Sequence, residues 1–177
     1  INALLVFLLT AGWAADRRGR QVLAGVLVGL AAAVKLVPLF LLVYFVFARR
    51  WRAAVALAVT FLAVNGVALA VLGVDQFRAY LAEVVPAVHR RWHTNWRNSS
   101  LEGFWMRLFG PQPEAGMIPA VDDPAKGLLI ANVLRGLVAL ACAWVAWRSR
   151  ATGDGDKAFA AAVVGMLLVS PITWGHY

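Results

Sequence analysis

The stretch Val22-Leu-Ala-Gly25-Val-Leu-Val-Gly29-Leu-Ala-Ala-Ala-Val-Lys35-Leu-Val-Pro38-Leu-Phe-Leu-Leu-Val-Tyr-Phe-Val-Phe47 decides how this chain is built. Its 26 residues are long enough for one tilted membrane helix, but Lys35 and Pro38 lie near the middle. A lysine at the bilayer centre costs at least ~2.5–3.5 kcal/mol, and proline removes a helix donor while disfavouring helix just before it. Both problems vanish if the stretch is two short helices meeting at a polar turn. Each half then reaches only about 20 Å, which requires the turn to sit in a water-filled recess or a thinned region.

Working outward, the same apolar character recurs at 2–15, 53–73, 127–147 and 158–169. The 53–73 and 127–147 runs are apolar on all sides and long enough, at about 1.5 Å per residue, to cross a hydrocarbon core of roughly 30 Å. Of the 177 residues 62% are hydrophobic and 15% charged, with a mean hydropathy of +0.71. A soluble domain has about 25% charged residues, so this composition predicts an all-α, polytopic membrane helical bundle. Cys142 is the only cysteine, which excludes a disulfide scaffold. The chain opens inside one apolar run and stops just after another, so residues 1–177 are expected to be an internal piece of one larger transmembrane domain.

The charges choose between one crossing and two. Loops 16–20, 49–52 and 148–157 each hold three Lys or Arg against three acids in all, Asp16, Asp154 and Asp156. The long loop 74–126 balances six basic residues with six acidic ones. Short basic loops belong in the cytoplasm. All three can lie there only if 22–47 crosses as a hairpin. The Lys35–Pro38 turn, the loop 74–126 and the segment 170–177 then share the extracytoplasmic side, as the parts of an active site there would.

Several polar residues stand out in that setting. Lys35 suits a phosphate or another anion at a cavity mouth; alternatively it snorkels or forms a structural ion pair. Arg135 lies within the fourth apolar run with Asn132 one turn earlier. The two either line a cavity and reach a phosphate, or Arg135 snorkels to the headgroups. In the outer loop, 77–88 reads as an interfacial helix with Phe77, Tyr80, Leu81 and Val84 on one face, ending near Pro86. The following His89-Arg-Arg-Trp-His93-Thr-Asn-Trp-Arg-Asn98-Ser-Ser100-Leu-Glu102 reads equally as a sugar-binding surface or an interfacial aromatic belt. The zero net charge of this loop argues against nucleic acid. At the end, Ser170-Pro-Ile-Thr-Trp174-Gly-His176-Tyr177 presents a histidine able to bind substrate or transfer a proton, or simply an interfacial one. Gly25-x-x-x-Gly29 fits the close-packing pattern of membrane helices, one that alanine- and glycine-rich helices also contain by chance. His89 and His93 have no carboxylate or cysteine at metal-ligand spacing, so no metal or other cofactor is expected.

Taken together, Gly25–Leu39 with the following Arg49-Arg-Trp-Arg, Asn98-Ser-Ser-Leu-Glu-Gly-Phe, and Ser170-Pro-Ile-Thr-Trp-Gly-His-Tyr177 resemble three blocks of glycosyltransferase family 87. Ile1-Asn2-Ala3-Leu4 resembles a fourth, lacking the preceding glutamine. The resemblance implies a GT-C fold and transfer of mannose, or arabinose, from a polyprenyl phosphate donor to a glycolipid or lipid-linked glycan at the outer face of the plasma membrane. It implies an inverting displacement, with an aspartate base upstream of Ile1, so that the isolated chain would be inactive. Lys35 would face the donor phosphate, His176 the phosphate or acceptor, and Asn98 and Ser100 the sugars. Glu102 is the acid inside a matched block and joins Arg135, Trp174 and Tyr177 as a substrate-binding candidate, not as the base. The alternative is a transporter or flippase of lipid-linked sugars, which also needs Lys, Arg and Trp in an outward cavity but no catalytic carboxylate.

Overall fold

A computed structural model describes residues 1–93, 95, 97–110 and 121–173. Among them the regular structure is helical: α1 (Asn2–Arg17), α2 (Gln21–Val34), α3 (Leu41–Phe47), α4 (Trp51–Leu72), α5 (Val74–Ala79), α6 (Val85–Trp92), α7 (Leu101–Phe109), α8 (Pro124–Thr152) and α9 (Gly155–Val169). Helices α4 and α8 are long and apolar enough to cross a membrane. The chain divides into two compact units. The first comprises residues 1–73 and 140–166, the second 74–139 and 167–177.

In the first unit the decisive stretch is broken in two. Helix α2 stops at Val34, Lys35 is extended, and a 3-10 turn (Val37–Phe40) leads into α3. Pro38 accounts for the position of the break. In a continuous helix its ring would strike the carbonyl of Val34, four residues earlier, and it has no N–H to offer there. In the first turn of the next element that N–H is not needed. The chain then folds back on itself. The Tyr44 hydroxyl near the end of α3 donates to Asp16 Oδ2 at 2.7 Å, and Arg50 Nε lies 3.6 Å from Asp16 Oδ1. Trp13 and Arg17 of α1 reach Asp156 at 2.9 and 3.2 Å. The turns after α1, α3 and α8 therefore meet at one end of this unit. The turn after α8 is shorter than 148–157, because α8 continues to Thr152 and α9 begins at Gly155.

Small residues set the packing. A Cβ on Gly25 would collide with the Ala53 carbonyl, and one on Gly29 would come within 2.8 Å of the Leu57 carbonyl. Ala24, Val28, Ala31 and Ala32 of α2 are buried, as are Ala53, Ala54 and Leu57 of α4. Lipid tails are as apolar as these side chains, so close backbone approach, rather than expulsion from water, holds such helices together. The Gly25-x-x-x-Gly29 pattern is thus used, not incidental. The rest of α4 exposes Val55, Val59, Leu62, Val67 and Val71, a face suited to lipid. Where α1 ends, Gly19 takes the left-handed conformation (φ 73°); where α3 ends, Arg49 does so (φ 58°), the only non-glycine to adopt positive φ among the described residues. That conformation costs a residue with a Cβ on the order of 1 kcal/mol.

In the second unit, helix does not end at Pro86. The chain is helical from α5 through a π-type turn (Tyr80–Val84) into α6, which runs to Trp92. The wider turn includes Ala82, the residue whose carbonyl the Pro86 ring would otherwise meet, so the helix absorbs the proline instead of stopping. Helix α7 lies against the start of α8, where a Cβ on Gly127 would come within 2.9 Å of Phe109 Cβ and 3.1 Å of the Trp105 carbonyl.

Candidate functional site

The polar residues of the motif beginning at Asn98 assemble at the start of α7. Ser100 is its N-cap: the hydroxyl oxygen accepts from Gly103 N–H at 3.0 Å, satisfying one of the free donors of the first turn. The same hydroxyl donates to the Pro171 carbonyl at 3.0 Å. Asn98, completely buried, is the hub. Its Nδ2 donates to the carbonyls of Pro171 (3.0 Å), His93 (3.2 Å) and Trp92 (3.4 Å). Its Oδ1 accepts from the backbone N–H of Thr173 (3.0 Å) and Ser100 (3.1 Å). Carbonyls at one end and N–H groups at the other fix the amide in one orientation. Ser99 N–H adds a bond to the Thr173 carbonyl at 2.6 Å. Arg107 completes the knot, donating from Nη1 to the carbonyls of Asn98 (2.6 Å) and Asn95 (3.2 Å). Burial lowers the pKa of its guanidinium from the ordinary arginine value, though an arginine stays charged in any physiological setting.

The 98–103 block and the start of the 170–177 block are therefore one structure, joined across 75 residues of chain. Thr173 Oγ1 turns back to the Leu167 carbonyl (2.7 Å) and Ser170 Oγ to that of Ile172 (2.8 Å). Gly103 makes room for the hub, since a Cβ there would lie 2.6 Å from Asn98 Cγ and from its carbonyl oxygen.

A second cluster adjoins it. Glu102, 2% exposed, is paired through Oε2 with Arg135 Nη2 of α8 and through Oε1 with His89 Nε2 of α6 at 3.0 Å. Arg135 Nη1 donates to Asn132 Oδ1 at 3.1 Å. These ionic contacts are close but poorly aligned. Glu102 Oε1 and Arg135 Nε and Nη2 complete no hydrogen bond of good angle among the described residues. His89 is the accessible member, with 41% of its side chain exposed, and its ring stacks on His93 with centroids 5.2 Å apart. Arg135 turns toward Glu102, with 16% of its side chain exposed, rather than out to the headgroups.

The sequence-derived candidates thus separate. Asn98, Ser100, Glu102 and Arg135 come together in the second unit. Asn98 and Ser100 spend their polar atoms on backbone, and Glu102 is enclosed by its two cationic partners. Lys35 is half-buried at the α2 break, in the first unit. Trp174, His176 and Tyr177 lie outside the described residues. Sequence reasoning passed over Arg107, included His89 only in the sugar-binding or aromatic-belt stretch and as an unlikely metal ligand, and gave Gly103 and Thr173 no role beyond membership of the matched blocks. No local spacing signals them, because their partners come from distant segments or are backbone atoms. Among the described residues no three His, Cys, Asp or Glu side chains gather as a metal site would require.

Fold and polar cluster define a helical membrane protein with a reinforced motif in the loop after α4. Residues 1–171 match the family model of glycosyltransferase family 87, and the chain belongs to that family. It is 35% identical over 184 residues to the polyprenol-phosphate-mannose-dependent alpha-(1-2)-phosphatidylinositol pentamannoside mannosyltransferase of Mycobacterium tuberculosis (strain CDC 1551 / Oshkosh). The match covers all of this chain and 37% of that protein. The protein of the same description from Mycolicibacterium smegmatis (strain ATCC 700084 / mc(2)155) is 35% identical over 175 residues, 97% of this chain and 39% of the relative. The chain therefore spans less than two fifths of the length of these curated relatives. No solved structure matches it.

Proposed function

We propose that this chain serves a mannosyltransferase that takes mannose from a polyprenyl phosphate and delivers it to a glycolipid of the phosphatidylinositol mannoside kind. The supporting observation is the match of residues 1–171 to the family together with the names of the two relatives. The reaction is a displacement at the anomeric carbon. An acceptor hydroxyl oxygen bonds to C1, the C1–O bond to phosphate breaks with its electron pair going to the polyprenyl phosphate, and the hydroxyl proton passes to a carboxylate base. Glu102 is a poor candidate for that base: it is buried and held by Arg135 and His89. The resemblance implies an aspartate in that role instead.

In this reading the enzyme is a multi-pass protein of the plasma membrane with its site on the extracytoplasmic side. Lys35 meets the donor phosphate, and His176, flanked by Trp174 and Tyr177, meets the phosphate or the acceptor. Asn98 and Ser100 act one step removed, by fixing the backbone that leads into Trp174 and His176. Arg135 and Glu102 hold α6, α7 and α8 in register around His89. The test is transfer of radiolabelled mannose from polyprenyl phosphate to glycolipid in membranes containing the full-length protein. Lys35→Ala and His176→Ala should each reduce transfer on the order of 100-fold, the scale of losing a group that stabilises developing charge, at unchanged protein level. Wild-type rates in both variants would overturn the assignment.

A further inference from the structure

A cleft lies at the end of the first unit where its basic turns meet. Its volume is about 790 Å³, and Arg20, Arg49, Arg52 and Trp51 line it together with the apolar Val22 and Val26. The charges around it are distributed unevenly. Three acids occupy this end, and each is committed elsewhere: Asp16 to Tyr44 and Arg50, Asp156 to Trp13 and Arg17, Asp154 to Lys157. Arg20, Arg49 and Arg52 are exposed and meet no carboxylate among the described residues.

Two further features favour negative charge at this place. Helices α2 and α4 both start here, and neither has a side-chain cap on its first turn, so free backbone N–H groups and two positive dipole ends add to the arginines. Arg49 also holds the left-handed conformation that Gly19 takes at the corresponding point after α1. A glycine would be the easier residue there, yet the position carries a guanidinium on the rim of the cleft.

We infer that this cleft is a binding site for an anionic phospholipid, the headgroup phosphate held by Arg20, Arg49 and Arg52 and an acyl chain laid along Val22, Val26 and Trp51. The apolar wall is what distinguishes a lipid from a free anion: inorganic phosphate leaves it unoccupied. Basic pockets between membrane helices recognise headgroups in this manner. The site lies at the basic end of the unit; Val26, Arg49, Trp51 and Arg52 fall within the first block of the family resemblance, but none of them is given a role in mannose transfer, and the proposal does not depend on that reading.

The experiment uses the full-length protein in mild detergent, with phosphatidylglycerol and phosphatidylcholine offered together and bound lipid counted by native mass spectrometry. Wild type should retain phosphatidylglycerol preferentially. Arg20→Gln/Arg49→Gln/Arg52→Gln should weaken that retention by at least about tenfold. Arg49→Gly should weaken it severalfold while melting no lower than wild type, which keeps the test decisive should the triple variant misfold. The control Arg18→Gln/Arg148→Gln, which removes two exposed cations outside the cleft, should bind as wild type does. Equal retention of the two lipids, an equal loss in the control, or displacement of the lipid by excess inorganic phosphate would each overturn the proposal.

Discussion

Glu102 shows how far a residue's meaning depends on its neighbours. In the sequence it is an acid in a polar motif; in the structure it is a buried carboxylate between an arginine and a histidine. Removing one member of a buried pair strands the other charge and costs roughly 3–5 kcal/mol, whereas replacing both by apolar groups costs far less. Glu102→Gln and Arg135→Met are each expected to lower the thermal midpoint in detergent markedly. The double variant should recover part of the loss, with a coupling of about 1–3 kcal/mol. Additive effects would show that the pair does not hold α7 to α8. None of this was visible beforehand, because residues 102 and 135 carry no sequence spacing that announces a contact. The Arg135–Asn132 bond, by contrast, was legible from helical geometry alone, being one turn long.

At the level of elements, glycines separate contact from mere composition. Gly29 faces the backbone of α4, while a Cβ on Gly66 of the same α4 would meet nothing within 4 Å. Gly29→Ala should therefore destabilise by about 1–3 kcal/mol, since a carbonyl cannot move aside as a side-chain tip does. Gly66→Ala should be neutral or stabilise by up to about 1 kcal/mol through helix propensity. Thermal unfolding of the two variants in one detergent checks both signs. The helices themselves were legible in the sequence, as was the break near Lys35, because apolar run length and proline chemistry are local. Two features escaped that reading. Pro86 was expected to stop a helix and is instead absorbed by a wider turn. The Gly25–Gly29 pair was indistinguishable from the chance glycines of an alanine-rich helix until α4 lay against it.

For the whole chain, the distribution of Lys and Arg carries a topological prediction. The turns after α1, α3 and α8 share one end of the first unit, and positive charge retains such turns in the cytoplasm. Cys142 is buried, so Cys142→Ser gives a background for single-cysteine labelling. Cysteines at Arg18, Arg49 and Gly153 are expected to react with an impermeant maleimide only after the membrane is opened, and one at Asp122 should react in intact cells. Labelling of Arg49→Cys from outside would refute the hairpin.

The knot around Asn98 also has a consequence for synthesis. Two of its partners, the Pro171 carbonyl and the Thr173 amide, follow it by 73 and 75 residues. At ~5–20 residues per second, the ribosome supplies them roughly 4–15 s after Asn98 itself. During that interval the turn before α7 holds a polar hub with its far-side partners not yet made, and only emergence of the last described segment completes it. The motif is finished late, by Pro171 and Thr173, so this region closes only after α8 and α9 have been made.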